Sequence, residues 1–167
     1  GPKQIRKNLR IAGKLLKTAG WVIRNGRRVN NKTGQLLEFE VLLVSPLFER
    51  IVLPFSKNLK KLGIQVNVRT VDSSQYRRRV QTFDFDVIVG SWGQSLSPGN
   101  EQRNFWGSKA SELEGGRNII GIKDQIVDEL IEKVIAAPTR KDLITAVKCL
   151  DRVLLWGHWV IPHWHAK

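Results

Sequence analysis

A polar segment flanked by aromatic residues, from residue 83 to residue 106, holds the side chains best suited to bind a ligand. It begins with a short apolar, β-branched stretch, Phe85–Val89, which is typical of a buried strand. Because α/β proteins place ligands at the ends of strands, we expect the residues from Gly90 onward to lie at such an edge. The candidate ligand-binding residues are Trp92, Gln94, Ser95, Asn100, Glu101, Arg103 and Asn104.

Aromatic faces beside uncharged hydrogen-bonding groups predict a hydrated site for a polar, partly extended ligand. Arg103 adds a guanidinium fork that suits a phosphate or carboxylate, whereas Arg77–Arg79 is typical of a solvated helix face. The alternative interpretation of the whole segment is an ordinary surface loop that contributes Phe105 and Trp106 to the core.

No residue is predicted to be catalytic. Asp84 and Asp86 resemble paired carboxylates, but they alternate with phenylalanines along one strand, which favours a solvated edge. The sequence contains no Gly-x-Ser-x-Gly turn, and a serine without a placed base is not a nucleophile.

Three histidines lie in the tail: His158, His163 and His165. His163 and His165 would point to the same side of an extended strand, so two zinc ligands are conceivable. No carboxylate or cysteine nearby completes the set, which favours a structural strand packed by tryptophans. We therefore predict no metal site and no cofactor.

The positive charge is concentrated at one end of the chain. The net charge is +13, and residues 1–32 hold ten of the 28 basic residues and no acidic residue. One interpretation is a basic nucleic-acid-binding module centred on residues 3–32. The other is a solvated helix face, or a surface attracted to anionic lipid or to an acidic partner.

The length of 167 residues, of which 41% are hydrophobic, predicts one domain with one core. The single cysteine, Cys149, excludes an internal disulfide and is expected to be a small buried hydrophobic residue. We interpret residues 1–2, Gly-Pro, as the remnant of a cleaved tag, so the missing signal peptide says nothing about the compartment.

Hydrophobic periodicity predicts helices that alternate with strands. The helices begin near Ile5, Leu47, Ser73, Asp124 and Thr139 and end near Gly20, Gly63, Gln81, Ala136 and Trp156, and the strands are Trp21–Arg24, Arg27–Val29, Leu36–Val44, Ile64–Val71 and Phe85–Val89. Asn25-Gly26 favours a type I′ hairpin turn, and Pro54 predicts a kink or a later start of the second helix. The stretch Gly107–Gly121 shows no hydrophobic periodicity and is predicted to be irregular. The pattern predicts an α/β domain with a mixed sheet flanked by helices.

Six segments resemble segments of a known protein family and occur in the same order as in that family. They are AGKLLKTAGW (Ala12–Trp21), GQLLEFEVLL (Gly34–Leu43), LKKLGIQVNVRTVD (Leu59–Asp72), FDFDVIVGSW (Phe83–Trp92), NIIGIKDQIVDELIEKV (Asn118–Val134) and LDRVLLWGHWVIPHW (Leu150–Trp164). This order resembles the second lobe of the oligopeptide/dipeptide-type substrate-binding proteins of ABC importers, solute-binding family 5. VDSSQYRRRV and SWGQSLSPGNEQRNFWGS resemble its YejA-type branch.

The resemblance implies that residues 3–167 are the C-terminal lobe of a longer, two-lobed protein with a type II periplasmic-binding-protein-like fold. The implied partners are a short peptide or peptide-like ligand, the ABC permease subunits and the N-terminal lobe of the same protein, and no nucleic acid is expected. The implied location is the periplasm, and the resemblance leaves open whether the intact protein is free or anchored as a lipoprotein.

One position departs from the family pattern. Trp92 matches the family tryptophan after the cleft strand, but Ser95 stands where better-known relatives carry an aspartate that pairs with the peptide amino group. Pro98 also falls one place earlier than the usual proline. Either Glu101 supplies the missing charge or the ligand presents no free amino terminus there, because a buried ammonium without a carboxylate is too costly.

Overall fold

The computed structural model describes residues 2–162, which form two compact units. The first unit consists of residues 2–77 and 85–89, and the second of residues 78–84 and 90–162. Each unit has its own hydrophobic core, where the composition predicted one core for the whole chain. The α/β class is confirmed.

The first unit begins with helix α1 (Pro2–Thr18) and a hairpin of strands β1 (Trp21–Arg24) and β2 (Arg27–Asn30). The hairpin turn follows the sequence prediction: Asn25 and Gly26 have φ of 50° and 75°, as a type I′ turn requires. β1 and β2 pair antiparallel, and an isolated bridge joins Val29 to Leu36.

A three-stranded parallel sheet forms the centre of the first unit. It contains β3 (Glu38–Leu43), β4 (Gln65–Thr70) and β5 (Val87–Ile88) in the order β4-β3-β5. Helix α2 (Glu49–Lys60) connects β3 to β4, and helix α3 (Ser73–Gln81) precedes β5. The middle strand is the most buried because it has a neighbour on each side, and its buried residues Val41 and Leu43 pack with Val52 of α2.

The second unit is mainly helical. Its elements are the short helix α4 (Glu101–Trp106), a 3-10 segment at Ser108–Glu112, and helices α5 (Gln125–Ile135) and α6 (Arg140–Trp156). The predicted N-caps are confirmed: the Asp124 carboxylate accepts from the Ile126 and Val127 N–H groups, and the Thr139 hydroxyl accepts from the Asp142 N–H. The core contains Phe105, Trp106, Ile122, Val127, Ile131, Val134 and Leu150.

The predicted element bounds need several corrections. The strand predicted at Phe85–Val89 is only two residues long, Val87–Ile88. Pro46–Phe48 is a 3-10 turn, so α2 starts at Glu49, and Pro54 remains inside it. The end of the predicted polar loop is the helix α4, whose six residues were too few to show a hydrophobic period.

Cys149 was predicted to be buried, and this prediction is wrong: its side chain is exposed. Helix α6 buries Leu150, with Ala146, Val147, Val153 and Leu154 packed against the same core. Cys149 lies one residue before Leu150, so its side chain leaves the helix at about 100° from the direction of the buried Leu150 side chain.

Candidate functional site

The site begins where the chain leaves β5, and all of its described contacts lie in the second unit. The ring of Trp92 folds back over Gly90, so that a Cβ atom at Gly90 would stand 2.8 Å from Trp92 Cη2. A larger residue at position 90 would therefore require the Trp92 ring to shift. The Trp92 ring also contacts the core. Its centroid is 5.0 Å from that of the Trp106 ring, at an interplanar angle of 37°.

Gln102 connects the candidate residues to one another. Its side chain is only 3% exposed, on the inner face of α4. Its Nε2 donates to Gln94 Oε1 at 2.8 Å and to Glu101 Oε1 at 3.1 Å, and its Oε1 accepts from Trp106 Nε1 at 3.0 Å. The sequence analysis did not single out Gln102. The only sequence signal was its spacing of four residues from Trp106, which places both on one helix face.

Glu101 carries a negative charge that is held in place by the backbone. Its Oε1 accepts from the Gly99 N–H at 2.9 Å as well as from Gln102. The hydrogen bond from the Gly99 N–H and one from its own backbone amide lower the pKa of Glu101 below the ordinary value of 4.5; Gln102 adds to this and burial opposes it. No hydrogen bond joins Oε2 to another residue in the described range 2–162.

Arg103 is engaged by side chains of its own unit. Its Nε donates to Glu132 Oε1 at 2.7 Å and its Nη1 to Asn100 Oδ1 at 2.9 Å. The hydrogen bond to Glu132 raises the pKa of Arg103, and the same contact lowers the pKa of Glu132. The predicted anion contact is therefore occupied by a carboxylate of the protein, while Asn104 beside it is exposed.

A side chain of α6 forms hydrogen bonds with the loop that precedes α4. Arg140 Nη1 donates to the Leu96 carbonyl at 2.7 Å and to Ser97 Oγ at 3.2 Å, and Ser95 Oγ accepts from the Ser97 N–H at 3.1 Å. Sequence reasoning missed Arg140 because it lies more than forty residues away along the chain. Gln94 and Ser95 are exposed, so the loop presents polar side chains from a fixed backbone.

The stretch predicted to be irregular is held by one side chain. Asn118 is 0% exposed, and its side chain makes four hydrogen bonds. Its Nδ2 donates to the Gly107 and Ile122 carbonyls, and its Oδ1 accepts from the Gly121 and Ile122 N–H groups, all between 2.9 and 3.1 Å. This pairing uses all four hydrogen-bonding positions of the amide.

Of the seven predicted site residues, Gln94, Ser95, Asn100, Arg103 and Asn104 are exposed, and Trp92 and Glu101 are partly buried. Phe105 and Trp106, which the alternative interpretation assigned to the core, are buried. Asp84 and Asp86 are exposed and bind separate partners, Arg79 Nε and the Glu40 N–H, each at 2.8 Å.

His163 and His165 lie outside the described residues. Within residues 2–162, no group of three histidine, cysteine, aspartate or glutamate side chains could hold a metal ion. No helix in that range is both long and apolar enough to cross a bilayer.

The sequence profile described as "Bacterial extracellular solute-binding proteins, family 5 Middle" matches residues 1–113. Protein y4wM of Sinorhizobium fredii is 53% identical over 96% of the chain, and the probable peptide-binding protein YejA of Agrobacterium fabrum is 49% identical over 98%. The chain spans 24% and 27% of these two relatives, about a quarter of their length.

Two solved structures show the same fold. The periplasmic oligopeptide-binding protein of Thermotoga maritima, bound to mannohexaose, gives a TM-score of 0.80 at 20% identity, covering 97% of this chain and 32% of that one. The oligopeptide-binding protein AppA of Bacillus subtilis, in complex with a nonapeptide, gives 0.72 at 24% identity, covering 87% and 29%.

Proposed function

Because the chain belongs to family 5 of the bacterial extracellular solute-binding proteins, we propose that it is the C-terminal lobe of such a protein and binds a short peptide or peptide-like ligand. The longer protein works outside the cytoplasmic membrane and delivers its ligand to an ABC permease. The lobe supplies one wall of the ligand site and performs no chemical step.

The observation that carries this proposal is the combination of exposed polar side chains with a fixed backbone in residues 92–104. Gln102, Glu101 and Arg140 hold the loop through hydrogen bonds. The side chains of Gln94, Ser95, Asn100 and Asn104 remain exposed. A pre-organised row of neutral dipoles binds a peptide main chain without ordering the loop first, and water between the dipoles and the ligand tolerates different side chains.

The proposal gives each charged group of the site a role. Glu101 is anionic and its Oε2 has capacity for a further donor, so it is our candidate partner for a ligand amino group in place of an acid at Ser95. Arg103 is the contact for a ligand carboxylate, which would have to displace Glu132. Trp92 offers the exposed part of its ring as an apolar surface for the ligand.

Family membership does not favour the alternative of a nucleic-acid-binding module centred on residues 3–32. A salt titration with a random oligonucleotide tests it, because phosphate contacts lose affinity steeply as salt rises. Weak binding by the longer protein is expected. Tight binding that outcompetes peptide would contradict the transport function.

Calorimetry on the longer protein tests the proposal. The ligands are a mixture of tri- to pentapeptides, the same peptides with acetylated amino termini, and mannohexaose. We expect micromolar or tighter binding of peptides, and about tenfold weaker binding by the double variant Gln94→Ala, Asn104→Ala, since each lost hydrogen bond contributes about 0.5–1.5 kcal/mol. The control is Gln125→Ala, an exposed glutamine of α5.

Three outcomes would contradict the proposal: no peptide binding, preference for the hexasaccharide, or equal affinity of the double variant and the wild type. Loss of binding on acetylation would support the role of Glu101, and Glu101→Gln should then show the same loss with the unmodified peptides.

A further inference from the structure

Helix α1 presents six basic side chains on one side: Lys3, Arg6, Lys7, Arg10, Lys14 and Lys17. At about 100° per residue, all six fall within an arc of about 100°, and the row is about 21 Å long. All six side chains are exposed, and the helix contains no acidic residue. The row, defined by these six residues, is called the basic stripe below.

The side chains of the basic stripe are unpaired. None of them makes an ion pair or a side-chain hydrogen bond with another residue in the range that the structure describes. Basic residues elsewhere in that range do find partners; Arg103 binds Glu132 and Lys123 binds Glu112. The stripe therefore keeps its full positive potential toward solvent.

Two apolar side chains protrude beside the stripe. Leu9, Ala12 and Leu16 are partly buried on another side of the helix, which also carries the 45% exposed Ile5; a Cβ atom at Gly13, between that side and the stripe, would lie 3.7 Å from Leu62 Cδ2. Ile11 and Leu15 belong to neither side: they are 46% and 64% exposed, on the flank next to the stripe. The helix thus offers a row of cations with aliphatic groups along one edge.

We propose that this face of α1 binds the surface of a membrane that contains anionic phospholipids. Lysine and arginine pair with headgroup phosphates, while aliphatic side chains at the edge of the row enter the boundary of the acyl region. An acidic peptide would neutralise the same cations but would leave Ile11 and Leu15 without an apolar environment. The lipid surface is the partner that satisfies both features.

This inference goes beyond the proposed function, because it does not involve the residues that bind the ligand. It adds a step to delivery: a protein held loosely at the membrane searches for its permease in two dimensions. Peptide affinity in solution and vesicle binding are separate measurements, so either proposal can fail while the other stands.

Vesicle co-sedimentation of the longer protein tests the proposal. The vesicles are phosphatidylcholine alone and phosphatidylcholine with phosphatidylglycerol, at low salt and at about 0.5 M salt, where the Debye length falls to a few ångströms. We expect binding to the anionic vesicles only, and loss of that binding at the higher salt.

Two charge variants with the same net charge locate the contact. The stripe variant is Lys7→Gln, Arg10→Gln, Lys14→Gln, Lys17→Gln, and the control variant is Lys133→Gln, Lys141→Gln, Lys148→Gln, Arg152→Gln on α5 and α6, all at exposed positions. We expect the stripe variant to bind anionic vesicles at least about a hundredfold more weakly, since each basic residue near the surface contributes several-fold. The control variant should stay within about threefold of the wild type, because its four cations lie on other helices and not in the row that is proposed to meet the headgroups.

A third variant separates lipid from acidic protein as the partner. Ile11→Gln with Leu15→Gln should weaken vesicle binding about tenfold by removing apolar groups from the boundary of the acyl region. Binding to polyglutamate should be unchanged. The proposal is wrong if the longer protein does not bind anionic vesicles, or if the two charge variants lose vesicle binding equally. It is also wrong if the stripe variant binds vesicles as the wild type does and loses only its binding to polyglutamate.

Discussion

The indole of Trp92 lies against the indole of Trp106, with the ring centroids 5.0 Å apart, and this contact joins the exposed loop to the core of the second unit. Trp106 is buried and donates its Nε1–H to Gln102. The position of the candidate site is therefore set by packing as much as by the loop itself.

Trp92→Ala should lower both ligand affinity and stability. It removes a half-buried ring and its aromatic contact, so we expect a loss of about 2 kcal/mol in the free energy of unfolding, less than for a fully buried tryptophan. The matched control is Trp156→Ala, whose ring is 77% exposed and which should change stability by less than about 0.5 kcal/mol. Urea denaturation followed by circular dichroism measures both. Equal losses in the two variants would contradict the contact with the core.

Gln102→Leu should destabilise the second unit although it adds an apolar side chain to the buried face of α4. It removes the acceptor of the Trp106 indole N–H, and an unsatisfied buried donor costs about 1–3 kcal/mol. It also releases Gln94 and should weaken peptide binding. Gln125→Leu is the control, since the Gln125 side chain is exposed and, among the described residues, forms a hydrogen bond only with Glu129 of α5. A Gln102→Leu variant with wild-type stability and affinity would show that the hydrogen bonds do not order the site.

Asn118→Asp should be the most damaging of these substitutions at neutral pH. The new carboxylate would face the Gly107 and Ile122 carbonyl oxygens in a fully buried position, where Nδ2 now donates. We expect a loss of at least about 3 kcal/mol in the free energy of unfolding. Asn67→Asp, at an exposed position of β4, should change it by less than about 0.5 kcal/mol. Denaturant titrations at neutral pH make the comparison.

Ionised Glu101 should stabilise the loop at neutral pH and lose that effect in acid. Its pKa is lowered in the folded protein, so the stabilisation is complete above the unfolded value near 4.5 and disappears as the pH falls through the lower folded value. The difference in free energy of unfolding between wild type and Glu101→Gln should be largest near neutral pH and should shrink below about pH 4.

Denaturant titrations across this pH range make the test for Glu101. A difference that is independent of pH would mean that the charge of Glu101 has no part in its hydrogen bonds. The control is Glu114→Gln, a change at an exposed carboxylate in the same unit.

Local signals in the sequence predicted most of the elements. The caps at Asp124 and Thr139, the Asn25-Gly26 turn and the glycines that follow α1 and α2 act through neighbours within a few residues. The resemblance of ordered segments predicted the family, which the comparisons confirm. The seven candidate site residues remain a prediction.

Two errors arose where the local signal was short or ambiguous. Helix α4 has six residues, fewer than two turns, and its polar surface is typical of a loop. Cys149 occupies an amphipathic helix, where a residue type alone does not decide which side of the helix it joins. In both cases packing against the core, rather than propensity, decided the outcome.

The amino-acid sequence by itself determined the α/β class, the order of the elements and the concentration of positive charge in residues 1–32, because these depend on composition and spacing along the chain. The tertiary structure alone decided that Gln102 and Arg140 hold the loop and that Asn118 holds the segment after it. Those contacts join groups whose separation in space is set by how whole helices pack, and no pattern of neighbouring residues encodes that distance.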